Sequence, residues 1–338
     1  MATFSFIFLL ALSITLLGTP WVRKFALWVG FVDIPAARKM HKNPMPLMGG
    51  VAIFLGAMVA ILLLAWQDIR PINSPQVQGM ALAGTLMACV GLVDDRRGVP
   101  ARIKLLAQLG GALILIYYGV HVRLPIPQWL NYGVTIVWIA GITNGINFLD
   151  NMDGLSAGVS GVAAAFITLL GALNDQFLVA GVSSALLGAC LGFLRYNFKP
   201  AQIFMGDAGS LFLGFLLSVL ALQLRFTNNA VIVTWMVPVY ILGIPILDTT
   251  LVTFSRLRRG VSPNTPGKDH LSHRLVRLGF SQREAVLIIY LLGGAVGMVA
   301  IFLTQATAME AYGIAGLTAL AAMGTIWQLD NISEEVVQ

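Results

Sequence analysis

The sequence predicts an all-α polytopic membrane protein with about eleven transmembrane helices. The chain of 338 residues is 57% hydrophobic and 11% charged, and its mean hydropathy is +0.82. Soluble domains are about 45 to 50% apolar and about 25% charged. A bilayer core about 30 Å thick requires about 20 apolar residues per helix, and such segments recur along the chain. The composition therefore excludes an ordinary soluble protein and makes the lipid bilayer a partner.

The predicted spans include two short ones, the fifth and the eighth. They are approximately 4–21, 48–66, 79–93, 104–120, 132–142, 155–173, 177–194, 210–224, 231–255, 285–304 and 312–328. The first span is followed by Arg23 and Lys24 and lacks basic residues before it, which is the wrong polarity for a cleaved signal peptide. We therefore interpret it as a retained span.

Basic residues predict the orientation, because Lys and Arg near span ends are retained on the cytoplasmic side. With the N-terminus outside, the inner loops are approximately 22–47, 94–103, 143–154, 195–209 and 256–284. Together with Lys104, which directly follows the second loop, they hold all but three of the 21 Lys and Arg residues. The exceptions are Arg70, Arg123 and Arg225. The net charge of +6 is then mostly a topology signal and needs no nucleic acid to explain it. We expect one membrane domain over 1–338, multi-pass in the cell inner (plasma) membrane.

Carboxylates recur at the predicted inner ends of the spans. Asp94 and Asp95 lie in VDDRRG, and Asp207 lies in MGDAGS. Ionised groups at membrane depth are costly and mark functional sites, so the pattern predicts an acidic, metal-binding site at the membrane surface. The adjacent Asp94 and Asp95 suit proton transfer, with an exposed capping pair held by salt bridges as the alternative. A helix predicted to begin near Pro100 places Lys104 about one turn inside it.

The third inner loop has four polar residues at a spacing of three, which are Asn144, Asn147, Asp150 and Asp153. On a helical turn they share one face and offer oxygen atoms to a hard cation or to a base and ribose. Left-handed backbone is expected at Asn151 and Gly154, where the helix unwinds. In the fourth loop, we expect the N-H groups at the helix start beside Asp207 to point at an anion. Asp207 is then predicted to bind the magnesium that accompanies a diphosphate.

The fifth inner loop has two histidines and an arginine, His270, His273 and Arg274. The surrounding positive charge disfavours a transition metal and favours phosphate oxygens. Asp248, in PILDTT, has a structural or a catalytic role as equal alternatives. Cys89 and Cys190 stand alone in apolar segments, so we expect neither a disulfide nor a zinc site.

The motifs VDDRRG, NGINFLDNMDGL, IFMGDAGS, PILDT and HLSHRL, in this order, resemble the polyprenyl-phosphate N-acetylhexosamine-1-phosphate transferases. The resemblance spans roughly residues 33–279. HLSHRL followed by LGFS is more similar to the N-acetylglucosamine-1-phosphate branch than to the phospho-MurNAc-pentapeptide transferases, which have a triple His. Two departures from the family pattern are Ser272 at the middle His and Asn151 at the Gly after Asp150.

The resemblance implies an enzyme with its active site on cytoplasmic loops. It would transfer N-acetylhexosamine 1-phosphate, GlcNAc-1-P above all, from a UDP-N-acetylhexosamine to a polyprenyl (undecaprenyl) phosphate and release UMP. The product would serve cell wall, lipopolysaccharide or teichoic acid synthesis. Mg²⁺, with Mn²⁺ as an alternative, would be bound by Asp207 and Asn147. The implied catalytic residues are Asp94, Asp95, Asp150 and Asp207, and the implied substrate-binding residues are Lys104, Asn144, Asp153, His270, His273 and Arg274.

Two other classes share some of these features. An ion-coupled transporter also has many spans, but its charges should lie near the bilayer midplane. An intramembrane aspartyl protease could use Asp150 and Asp207, yet it needs neither the polar ladder nor the histidines. A phospho-MurNAc-pentapeptide transferase is the alternative within the family. The exact sugar, lipid length, downstream polymer and a homodimer are left open.

Overall fold

The computed structural model describes residues 2–34, 44–66, 74–262, 265 and 267–335. Arg70 and the centre of the first predicted inner loop, 35–43, lie outside the described residues. Helices dominate the described chain, and they are α1 (Ala2–Trp28), α2 (Gly49–Trp66), α3 (Pro75–Arg97), α4 (Ala101–Tyr117), α5 (Gln128–Phe148), α6 (Leu155–Leu173), α7 (Phe177–Asn197), α8 (Gly206–Gln223), α9 (Val231–Thr234), α10 (Met236–Ile241), α11 (Gly243–Arg258), α12 (Leu271–Arg277), α13 (Gln282–Leu303) and α14 (Ala308–Glu335). A two-residue strand, β1 (Val32–Asp33), pairs antiparallel with β2 (Met45–Pro46).

The all-α polytopic membrane class is confirmed, but the described residues contain fewer spanning helices than the eleven predicted. Within the described residues, seven helices are long and apolar enough to cross a membrane: α1, α3, α6, α7, α8, α13 and α14. An eighth span is reached if the segments Val231–Ile241 and Gly243–Arg258, bent by 73°, count as one. The 17 residues of α4 extend only about 26 Å, and α5 carries several polar side chains.

The helices continue past the apolar segments into residues expected in loops. Asp94 and Asp95 lie in the last turn of α3, which ends at Gly98 with φ +68°. As predicted, α4 begins after Pro100 and Lys104 lies in its first turn. The polar ladder divides, because α5 ends at Phe148 and the two aspartates follow it, so the four residues do not share a helical face. Gly154 has φ +80° as expected, but Asn151 is not among the described residues with positive φ.

The contacts divide the chain into two compact units, Met1–Arg225 and Phe226–Gln338; the single membrane domain stays a prediction. In the first unit, α8 is almost completely buried and packs on α2, α3 and α5. Glycines permit this close packing at its first turn. A Cβ at Gly91 would meet the backbone of Asp207, and one at Gly50 would meet that of Gly209. The start of α8 is thus enclosed by α2 and α3.

In the second unit, α10 and α11 pack on α13, and α11 also contacts α12 and α14. The short helix α12 follows the segment that contains Asp269 and His270. A capping box begins α13, because the Ser281 hydroxyl accepts from the Glu284 N-H while the Glu284 carboxylate accepts from the Ser281 N-H.

Candidate active site

Asp207, at the first turn of α8, is the centre of a polar cluster in the first unit. Its Oδ2 accepts a hydrogen bond from Lys104 Nζ at 2.8 Å, and its Oδ1 accepts one from Asn147 Nδ2 at 2.9 Å. The Asn147 amide also donates to Ser210 Oγ at 2.9 Å. Three helices, α4, α5 and α8, therefore converge on one carboxylate whose side chain is 25% exposed.

The Lys104 ammonium lies between two carboxylates. Nζ is 2.8 Å from Asp94 Oδ2 and 2.8 Å from Asp207 Oδ2. The other Asp94 oxygen accepts from the Val99 backbone N-H. Because one positive charge lies between two negative ones, Lys104 offsets the repulsion between the two carboxylates. The ammonium group of Lys104 itself occupies the position between these oxygen atoms.

Asp95 has a different task from its neighbour Asp94. Its Oδ1 accepts from the Asp207 backbone N-H at 2.8 Å, and its Oδ2 accepts from the Ala208 N-H at 3.1 Å. A carboxylate that binds the first N-H groups of a helix caps it. These N-H groups therefore point at an anion, as predicted, but in this structure the anion is the Asp95 side chain of α3.

Asp150, in the segment between α5 and α6, contacts the first residue of α8. Its carboxylate accepts a hydrogen bond from the Gly206 N-H, and the charges of Asp207 and Asp153 are close enough to act on it. Burial is the main cause that raises the pKa of Asp150 to about 7, with the two negative neighbours adding to the effect. This carboxyl group is therefore partly protonated near neutral pH.

Two other predicted site residues are bonded to protein groups beside the cluster. Asn144 forms a reciprocal amide pair with Gln108, at 2.9 and 3.1 Å. Asp153 Oδ2 accepts from the Ala201 N-H at 3.1 Å and lies 3.3 Å from Lys199 Nζ. These contacts join α4 to α5 and fix the segment that leads to α8, while contact with substrate stays a prediction for both residues. Gln108 was missed, although it lies one turn after Lys104 inside an apolar helix.

The oxygen atoms at Asp207 fit a magnesium ion that shares its coordination with substrate. Within the described residues, three or more His, Cys, Asp or Glu side chains do not gather into a group able to bind a metal ion. Mg²⁺ is, however, commonly bound by one or two carboxylates plus substrate phosphates. Asp207 and Asp94 offer carboxylate oxygens, but Lys104 Nζ occupies the position between them, and Asn147 turns its NH₂ group rather than its carbonyl oxygen towards Asp207. The carboxylate oxygens are therefore of the type that a hard cation binds, while Asn147 as a metal ligand stays a prediction.

In the second unit, Asp248 orients His270. The His270 Nδ1 is 2.8 Å from Asp248 Oδ2, and Asp248 Oδ1 accepts from the Leu271 N-H at 2.7 Å. Asp248 is completely buried, so its carboxylate both orients the imidazole and caps α12. A carboxylate at Nδ1 directs Nε2 of the ring away from the pair. Of the two alternatives for Asp248, the structure favours a structural, orienting role.

His273 lies one turn after His270, with ring centroids 6.3 Å apart. Burial, followed by charge interactions with His270, Lys268 and Arg277, lowers the pKa of His273 to about 4. The ring is therefore neutral at physiological pH and offers a hydrogen bond rather than a charge. The predicted contact of His273 with substrate therefore stays a prediction, and it would be a hydrogen bond.

Arg274 is directed into the protein. Its side chain is 2% exposed, and its Nη2 donates to Ser255 Oγ at 2.8 Å. Nε donates to the Asp269 carbonyl at 2.8 Å and Nη1 to the Leu329 carbonyl at 2.5 Å. A guanidinium so engaged favours a role in holding α12, and its predicted contact with a diphosphate remains a prediction.

The chain is similar to a known protein family and to several enzymes. Residues 77–225 match the family described as Glycosyl transferase family 4. This range contains the whole Asp207 cluster, whereas His270 and His273 lie outside it. The chain is 36% identical to the probable undecaprenyl-phosphate N-acetylglucosaminyl 1-phosphate transferase of Bacillus subtilis (strain 168), over 89% of this chain and 85% of that protein.

Two further relatives cover most of both chains. The decaprenyl-phosphate N-acetylglucosaminephosphotransferase of Mycolicibacterium smegmatis is 35% identical over 85% of this chain and 79% of that protein. The undecaprenyl-phosphate alpha-N-acetylglucosaminyl 1-phosphate transferase of Escherichia coli (strain K12) is 27% identical over 80% and 76%. These alignments extend well beyond the range of the family match.

Proposed function

The chain belongs to the polyprenyl-phosphate N-acetylhexosamine-1-phosphate transferases of glycosyl transferase family 4, and on this premise we propose that it makes a polyprenyl-diphosphate-linked N-acetylglucosamine. An oxygen of the lipid phosphate attacks the sugar-bearing phosphorus of UDP-N-acetylglucosamine. The bond from this phosphorus to the bridging oxygen breaks, and UMP leaves. The relatives favour this activity over an ion-coupled transporter, and they favour the N-acetylglucosamine donor over a MurNAc-pentapeptide donor.

The observation that carries the proposal is the Lys104 ammonium held between Asp94 and Asp207. Phosphoryl transfer requires mainly positioning and neutralisation of charge. Lys104 is a positioned cation, and the two carboxylates that hold it leave the cluster negative enough to attract a further cation. Asn147 orients Asp207 by donating to its Oδ1. Because a phosphate monoester is already largely ionised at neutral pH, Asp94 acts by orienting Lys104 and the lipid phosphate rather than by removing a proton.

We propose Mg²⁺ as the cofactor, with Mn²⁺ as a substitute, bound by Asp207 with Asn147. When bound, the ion would neutralise the diphosphate of the donor. Asp95 keeps the first turn of α8 in place, so the Asp207 carboxylate stays oriented with or without a cation. Asp150 lies beside this turn, where a partly protonated carboxyl group can donate a hydrogen bond to a substrate oxygen.

Release of UMP tests the proposed activity. Purified protein in lipid nanodiscs is supplied with UDP-N-acetylglucosamine, polyprenyl phosphate and Mg²⁺, and UMP is measured. We expect release that requires both substrates and stops when the metal is chelated. UMP formation without the lipid phosphate, or only with UDP-MurNAc-pentapeptide, would contradict the proposal. Comparing decaprenyl with undecaprenyl phosphate would identify the preferred lipid.

The orientation in the cell inner membrane is a proposal that cysteine labelling can test. In a variant with Cys89→Ala and Cys190→Ala, we expect Ser262→Cys to react with an impermeant maleimide only from the cytoplasmic side. Asn228→Cys should react only from outside, because Arg-rich and Lys-rich loops stay inside. Both residues are exposed. Labelling of both from one side would overturn the orientation. Association into a homodimer also stays a prediction.

Mutations should distinguish residues that bind the UDP-sugar donor from residues that act on the lipid phosphate acceptor. We expect Asp94→Asn to bind UDP-N-acetylglucosamine with Mg²⁺ normally but to transfer slowly, because only the orientation of Lys104 is weakened. His273→Ala should instead weaken donor binding, since a hydrogen bond to the donor is lost. Isothermal titration of the donor into both variants measures this difference. Lost binding in Asp94→Asn together with normal binding in His273→Ala would reverse the assignment.

A further inference from the structure

Asp330 is a buried carboxylate near the end of α14. Between 308 and 331, where side chains of α14 are described, the other buried residues are Ala311 and Leu329. Asp330 is 1% exposed. Burying a carboxylate costs free energy unless partners compensate it, so a buried Asp on an otherwise exposed apolar helix marks a specific contact.

Three side chains from two other helices meet this carboxylate. Ser255 Oγ donates to Oδ1 at 2.5 Å, and Arg258 Nη1 donates to Oδ2 at 2.8 Å. Arg274 Nη1 lies 3.5 Å from Oδ1. Asp330 therefore joins α14 to α11 through charged hydrogen bonds, which are stronger than neutral ones, and to α12 through an ion pair.

Ser255 is the junction of this network. A hydroxyl has one donor and two acceptor positions. The Ser255 hydroxyl donates to Asp330 and accepts from Arg274 Nη2 at 2.8 Å and Arg259 Nη2 at 3.2 Å. Because Asp330 takes the only proton, it fixes the direction of the hydroxyl and leaves both lone pairs to the arginines.

Arg274 connects Ser255 and Asp330 to the segment that contains the two histidines. Its Nε donates to the carbonyl of Asp269, the residue before His270, and Arg274 itself follows His273. The two ends of the segment 269–274 are therefore attached to one guanidinium. A second contact to α14, from Nη1 to the Leu329 carbonyl, fixes that guanidinium beside Asp330.

We infer that Asp330 is a positioning residue for the UDP-sugar, acting through Ser255 and Arg274 to hold His270 and His273 in their binding orientation. The inference rests on the proposed function, because it requires these histidines to meet the donor. Asp330 itself touches no substrate in this scheme. Its effect on the reaction should therefore appear in donor affinity rather than in the use of the lipid.

Steady-state kinetics of Asp330→Asn tests the inference. We expect the KM for UDP-N-acetylglucosamine to rise about tenfold, the size of one charged hydrogen bond, while the KM for polyprenyl phosphate stays unchanged. In a His270→Ala and His273→Ala background, adding Asp330→Asn should change the donor KM no further, because coupled residues are not additive. Glu310→Gln, at the exposed start of the same helix, is the matched control and should resemble the wild type.

Several results would overturn the role of Asp330. These are an unchanged donor KM, equal changes in both KM values, or a full additional loss in the double-histidine background. If Asp330→Asn does not fold, Ser255→Ala breaks the same junction without a charge change and should raise the donor KM alike; a normal KM in that variant refutes the inference. UMP release by the wild type is measured first, and its absence would instead refute the proposed function.

Discussion

Replacing Asp207 by Asn should reduce turnover by at least about 10³-fold while the protein stays folded, as expected for loss of a central electrostatic group. Asn has the size of Asp and can still accept a hydrogen bond, but it loses the charge that faces Lys104. Lys104 would then retain only Asp94 as an anionic partner. UMP release at saturating substrates measures the loss, and thermal unfolding in nanodiscs measures the fold.

Asp175→Asn is a suitable control for this experiment. Asp175 lies just after α6, at the opposite end of that helix from Asp153, and has φ 54°, a conformation that Asn tolerates. It removes one carboxylate from the same unit without touching the cluster. Near wild-type turnover of Asp207→Asn would remove Asp207 from the site, and equal losses in both variants would indicate a general effect of charge.

The meeting of distant motifs at α8 was predictable in outline from the sequence. Polar residues at membrane depth must find partners, and the positive-inside pattern placed the motifs on one side. The prediction therefore included Lys104, Asn147 and Asp207, which the structure brings together. The same reasoning predicted the start of α4 after Pro100, because proline favours the first positions of a helix.

The individual partners were not predictable, because they join residues far apart in the chain. Asp95 binds N-H groups 112 and 113 residues away, and local spacing contains no information about such a pair. Two adjacent aspartates look equivalent in the sequence. The helical periodicity of α3 separates them, since neighbouring side chains point about 100° apart, so that one meets Lys104 and the other caps α8.

The histidine segment shows a second limit of the sequence. The cluster of positive residues predicted a phosphate site, yet Arg274 turns inward and Asp269 pairs with Arg256 at 2.7 and 2.9 Å. Although burial opposes it, Arg256 lowers the pKa of Asp269 to about 2. Charge density alone therefore does not distinguish ligand-binding residues from those that hold a loop. Burial distinguishes them, and Arg274 is buried in contact with α14, which carried no recognised motif.

Replacing Asp95 by Ala should lower both stability and activity, unlike the change at Asp207. The Asp207 and Ala208 N-H groups would lose their acceptor in an enclosed turn, at a cost of about 2 kcal/mol in the free energy of unfolding. The first turn of α8 would no longer hold Asp207 towards Lys104, so turnover should fall about 10²-fold or more. Thermal unfolding and UMP release of the same preparations measure the two effects.

The isosteric variant Asp95→Asn separates capping from chemistry. Its single amide oxygen can accept from one of the two N-H groups, while its NH₂ group faces the other donor. A capping role therefore predicts that stability and activity fall together in both variants, in the same order and in proportion. If Asp95 instead took part in the reaction directly, as the sequence suggested, Asp95→Asn would lose activity as completely as Asp95→Ala while unfolding at the wild-type temperature. That result would show that Asp95 takes part in the reaction rather than only capping α8.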